Sequence, residues 1–112
     1  MQTKLGKISS VKFGIGGYQD ACIGITVSLD LAGGSGVQDN NTAWDSNLIK
    51  CTDHCNWTEK DRDDKYAEIM RYVSDLLSNA KVKDVSDLKG VPIEATFDGM
   101  TLKSWRILTE VI

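Results

Sequence analysis

One proline, one histidine and no excess of basic residues set limits on this 112-residue chain before any motif is considered. Thirteen lysines and arginines face sixteen aspartates and glutamates, for a formal charge of −3 and a pI near 5.0. Such a chain lacks the overall positive field that draws in phosphate backbones or anionic lipid, so nucleic acid is a disfavoured partner. Apolar residues nowhere run for the roughly 18 positions of a membrane span. No apolar stretch follows the charged opening Met1–Lys7 in the manner of a secretory leader. The expectation is a cytoplasmic protein with no membrane partner. Cys22, Cys51 and Cys55 are an odd set without an export signal, so reduced thiols are expected and no disulfide is assigned.

What is present points to one globular domain spanning residues 1–112, since the apolar share of 41% and charged share of 26% exclude disorder and fibrous repeats. From Lys7 the chain reads as a strand with Val11, Phe13 and Ile15 on one face. Ile8 falls on the other parity, so Ser9-Ser10 marks a bulge or the true strand start. Gly14 to Asp20 supplies a reversal, and a second strand follows with Ala21, Ile23, Ile25, Val27, Leu29 and Leu31 facing the core. Its other face carries Cys22, Gly24, Thr26, Ser28 and Asp30. Gly33-Gly34-Ser35-Gly36 ends that strand, and Gln38 to Thr42 shows neither periodicity, so residues 33–47 read as the longest loop.

Leu48 to Cys51 suggests a short strand. Thr58 then opens the one strong helix as N-cap, with Asp61 completing a capping box. Tyr66, Ile69, Met70, Val73, Leu76, Leu77 and Ala80 recur at three and four residues as a single apolar stripe. A short turn from Val85 to Leu88 is expected to be capped by Ser86 and closed by Gly90. In the C-terminal hairpin, an Asp98-Gly99 type I′ turn would pair Phe97 with Met100, Ala95 with Leu102 and Glu94 with Lys103. That register turns Met100 and Leu102 inward and Trp105 outward. The final run from Ile107 to Ile112 reads as covered on both sides. The fold class expected is α+β, a mostly antiparallel sheet of four or five strands with one long helix packed on one face.

Three segments carry a resemblance: Lys7-Ile8-Ser9-Ser10-Val11-Lys12-Phe13-Gly14-Ile15-Gly16-Gly17-Tyr18-Gln19-Asp20-Ala21, then Trp57-Thr58-Glu59-Lys60-Asp61-Arg62, then Leu88 through Gly99 and on to Ile112. Together they resemble a family of small, mostly uncharacterised proteins of tailed bacteriophages and prophages. The likeness spans most of the chain outside residues 33–47, and its familiar C-terminal pattern is Leu102 to Val111. The resemblance implies a setting in the host cytoplasm and action by stoichiometric binding, including counter-defence. It assigns no residue a role.

Cys51, His54 and Cys55 place preferred zinc ligands within five residues, but a closed site needs four ligands in tetrahedral geometry. The sequence therefore favours thiols packed beside the helix start, with no metal and no cofactor. His54 and Cys55 adjoin without a third group, which argues against a cysteine nucleophile and against an enzyme. Gly14-Ile15-Gly16-Gly17 lacks the helix and the Gly-Lys-Ser/Thr of a phosphate loop. It reads as a tight hairpin, or as bare backbone at Gly16, Gly17 and Tyr18 that a ligand can approach. Trp105 reads as core or sheet cover, or, beside Lys103 and Arg106, as an anchor for a partner or a base. The functional expectation is a non-enzymatic binding protein that inhibits or sequesters a host protein or a small nucleotide-like signalling molecule. The alternative is an accessory that binds single-stranded DNA in phage replication or recombination. The open polar face of the second strand suggests a homodimer.

Overall fold

A computed structural model describes residues 1–17, 20–45 and 58–112. Five antiparallel strands, β1 (Gln2–Gly16), β2 (Cys22–Leu31), β3 (Gly36–Trp44), β4 (Pro92–Asp98) and β5 (Thr101–Ile107), form one curled sheet in the order β3-β2-β1-β4-β5. Among the described residues one α-helix, α1 (Glu59–Ala80), lies on its concave face. The fold is α+β, and the N- and C-terminal hairpins meet along β1 and β4.

β1 begins at Gln2, not Lys7, because its first six strand residues pair with β4. A bulge between Ile8 and Ser10 then changes the parity, so Ile8 and Val11 both face the core although three positions separate them. The Ser9 hydroxyl holds the bulge by donating to the Ser28 carbonyl at 3.1 Å. Beyond the bulge β2 is the one strand beside β1 among the described residues, and Phe13 and Ile15, on the same face as Val11, stay 49% and 47% exposed.

Residues 36–44 are a strand and not a loop. Asn and Asp disfavour strands, but an edge position lets alternate side chains reach solvent and asks for hydrogen bonds on one side only. β3 runs in unbroken register with β2, from Cys22 opposite Trp44 to Asp30 opposite Gly36.

The Thr58 hydroxyl accepts from the Asp61 amide while the Asp61 carboxylate accepts from the Thr58 amide, so the capping box closes in both directions. Ile69, Leu76 and Ala80 are buried, each Ile or Leu contributing about 1.5–3 kcal/mol. Met70, placed in the apolar stripe by its spacing, is 62% exposed, whereas Tyr72 packs against the core with its hydroxyl on Asp39. The turn Val85–Leu88 is capped by Asp84, whose carboxylate accepts from the Ser86 amide, and not by Ser86 itself.

The C-terminal hairpin departs most from the expected register. Asp98 pairs with Thr101, which makes Gly99 and Met100 the two loop residues, and the positive φ of Gly99 (62°) suits the first position of a type II′ turn. A shift after Phe97–Leu102 then sets Ala95 opposite Trp105 and Glu94 opposite Arg106. Met100 consequently stands 98% exposed, and Trp105 turns toward the core. β5 stops at Ile107, and after a 3-10 turn at Thr109–Val111 the last residues Val111 and Ile112 are exposed rather than covered. The proposed strand at 48–51 lies outside the described residues.

Candidate functional site

Among the described residues no helix lies over the convex face of β1, β2 and β3. Side chains there alternate with the core set: Ser10, Lys12, Gly14 and Gly16 from β1, Gly24, Thr26 and Ser28 from β2, and Gln38, Asn40 and Thr42 from β3. They line an open groove of about 640 Å³. Gly14 and Gly24 are direct cross-strand partners, so the middle of the floor is bare backbone.

The two glycines differ in cause. A Cβ on Gly24 would lie 2.3 Å from the Asn41 carbonyl oxygen, so β3 could not approach β2 with any other residue there. A Cβ on Gly14 would meet nothing within 4 Å.

The groove wall is held by cross-strand bonds. Thr26 Oγ1 donates to Asn40 Oδ1 at 2.8 Å, and Gln38 Nε2 donates to Ser28 Oγ at 3.3 Å. Among the described lining residues Lys12 is the one that carries a charge. Its Nζ lies 3.3 Å from where a Cβ on Gly16 would sit, so the ammonium extends over the bare floor. Hydroxyls, amides and a single cation around an unobstructed backbone are suited to bind an anionic, hydroxyl-bearing molecule and carry no base–nucleophile pair.

Of the residues singled out by sequence, Gly16 and Gly17 line this groove, while Tyr18 lies outside the described residues. Trp105 and Arg106 both border a hollow between α1 and β5, and Lys103 is not among its lining residues. Trp105 is half-buried and its Nε1 donates to Asp39 at 2.7 Å. Arg106, on the opposite side of the strand, pairs with Glu94 at 3.3 Å and Glu110 at 3.1 Å. Its guanidinium is held above its ordinary pKa chiefly by the Glu110 hydrogen bonds. Lys103 lies in the irregular stretch of β5, its Nζ 3.4 Å from the Met1 sulfur. The expected Glu94–Lys103 pair is replaced by Glu94–Arg106.

Cys51, His54 and Cys55 fall outside the described residues, and Cys22 is a half-buried free thiol. Among the described residues no group of three or more His, Cys, Asp or Glu side chains could hold a metal, and no helix is long and apolar enough to cross a membrane.

Asp39 was missed because residues 38–42 read as loop. Its carboxylate accepts from the Tyr72 hydroxyl at 2.9 Å and from Trp105. Burial first, then the Asp39 charge and hydrogen bond, push the Tyr72 hydroxyl well above the ordinary tyrosine pKa. Burial and a hydrogen bond to Asp45 push Tyr66 up to about 12. A second hollow of about 530 Å³ between α1 and β5 includes Asp39, Tyr72, Trp105 and Arg106, whose polar atoms are already bonded within the chain. The convex groove, whose floor is bare backbone beneath the Lys12 ammonium, is the stronger candidate. The chain matches no protein-family model, no curated protein and no solved structure.

Proposed function

We propose that this chain is a non-enzymatic phage accessory protein that binds, one ligand per groove, a small anionic and hydroxyl-rich molecule of nucleotide-like character, sequestering it in the host cytoplasm as a counter-defence. The observation that carries the ligand class is Lys12 lying as the lone charge over a bare-backbone floor ringed by Ser10, Thr26, Ser28, Gln38, Asn40 and Thr42. A negatively charged chain with one local cation favours compact anions over long phosphate backbones, whose affinity scales with the number of neutralised phosphates. The phage context is supported by the resemblance of residues 7–21, 57–62 and 88–112 alone.

Titration calorimetry with a panel of mononucleotides, cyclic nucleotides and inorganic phosphate tests the reading. Saturable binding at one ligand per groove is expected, weakened at least tenfold by Lys12→Glu with no change in melting temperature. Failure of every nucleotide to bind, or binding indifferent to Lys12→Glu, overturns it. The single-stranded-DNA alternative has less support, because Trp105 faces inward with its N–H engaged and Arg106 is paired with two glutamates.

A further inference from the structure

The sheet has a third edge in its interior. Asp45 N–H donates to the Ala21 carbonyl and Leu31 N–H to the Ser35 carbonyl, so the odd-numbered residues of β2 bond toward β3. Its even-numbered residues Cys22, Gly24, Thr26 and Ser28 therefore bond toward β1, opposite Gly16, Gly14, Lys12 and Ser10. It follows that the N–H and C=O groups of Val11, Phe13 and Ile15 point away from β2. On that side β4 covers β1 only from Gln2 to Lys7, and the last bonds, Ile8 N–H to Val91 O and Gly90 N–H to Ile8 O, end at Ile8. The three N–H and three C=O groups of Val11, Phe13 and Ile15 thus have no partner among the described residues.

The side chains along this edge are also unmatched to solvent. Phe13 and Ile15 are 49% and 47% exposed, and Phe13 lines an apolar hollow with Ile23, Ile69 and the 62% exposed Met70. The edge of β5, by contrast, carries Lys103 at an irregularity and Arg106, devices that discourage strand addition.

We infer that this chain forms a two-fold symmetric dimer by antiparallel pairing of β1 with β1 of a second copy, centred on Phe13. The sequence is self-complementary in that register. Phe13 lies opposite Phe13 and Val11 opposite Ile15 as hydrogen-bonded pairs, joining the outward groups of both copies. Lys12 lies opposite Gly14 and Ser10 opposite Gly16, so no like charges meet. The Gly14 position, where a Cβ meets nothing in the single chain, lies directly across from the other copy's Lys12. Apolar side chains fall on the concave face of both copies and polar or small ones on the convex face, as a continuous sheet requires. The two convex grooves then adjoin across the axis. The pairing itself is independent of the ligand reading.

Sedimentation equilibrium of the full chain tests the dimer, and three substitutions test its register. Phe13→Pro removes an N–H that has no partner among the described residues, so the monomer should stay folded by circular dichroism while the dimer is lost. Gly14→Lys sets a lysine opposite each Lys12 and should raise the dimer dissociation constant roughly five- to tenfold at low salt, the effect shrinking as salt is added. Gly14→Glu should lower it by a similar factor. A wild-type chain that stays monomeric at high-micromolar concentration overturns the inference, as does a dimer whose affinity responds the same way to Gly14→Lys and Gly14→Glu. Loss of nucleotide binding with the dimer intact would count against the groove's proposed function and not against this interface.

Discussion

The indole nitrogen of Trp105 donates to the carboxylate of Asp39 at 2.7 Å, tying β5 to β3, the two opposite ends of the sheet. A flat sheet would hold its first and fifth strands roughly 19 Å apart at the usual inter-strand spacing. The bond forms because the sheet curls around α1, which adds Tyr72 to the same carboxylate. Asp39→Ala should therefore destabilise the fold by about 2–4 kcal/mol in urea titration, since it strands two partly buried donors. Trp105→Phe, which removes one donor and leaves the carboxylate satisfied by Tyr72, should cost about 1 kcal/mol. Near-additive losses in the Asp39→Ala/Trp105→Phe double variant would contradict this account.

Alkaline pH should weaken the fold through Tyr66 and Tyr72. Both hydroxyls have pKa values raised in the folded chain, Tyr66 to about 12, against about 10 in the unfolded one. A raised value means that the stabilisation is complete below about pH 10 and is lost as pH climbs through the folded value. Melting temperature should fall from about pH 10 upward, and Tyr72→Phe should flatten that fall. An unchanged slope in Tyr72→Phe would exclude Tyr72 as a source.

At the start of α1, Thr58→Ala should cost about 1 kcal/mol, measured as a shift in the urea midpoint at constant m-value. Asp61→Ala should add less in that background than in wild type, because each residue caps the other's amide.

The paired glycines of the groove floor should respond oppositely to alanine. Gly24→Ala drives a Cβ to 2.3 Å from the Asn41 carbonyl and 2.6 Å from the Thr42 Cα, both backbone, so β3 must shift and stability should drop by about 2 kcal/mol or more. Gly14→Ala meets open space and should be neutral or stabilise by about 0.5–1 kcal/mol. Thermal melts of the two single variants separate a glycine required by the fold from one that the fold leaves free.

By itself the sequence determined the α+β class, the core face of β2, and α1 with its reciprocal cap at Thr58 and Asp61. Those features are local: an alternation of period two, a stripe of period near 3.6 and a cap three residues wide are set by backbone geometry within a few residues. It also gave grounds for a bulge at Ser9-Ser10, through the clash of parity between Ile8 and Val11. Tertiary structure decided the rest. Residues 36–44 became a strand because β2 supplied an edge for them, something no periodicity in Gln38 to Thr42 announces. In the last hairpin the turn moved to Gly99-Met100 and the register slipped, which rotated Trp105 inward, where Asp39 could accept its N–H. One wall of the groove was likewise hidden, since Gln38, Asn40 and Thr42 join Lys12 and Thr26 only after β3 is paired. Register between strands distant in sequence is fixed by which buried groups find partners across the sheet, and that choice depends on the whole fold at once.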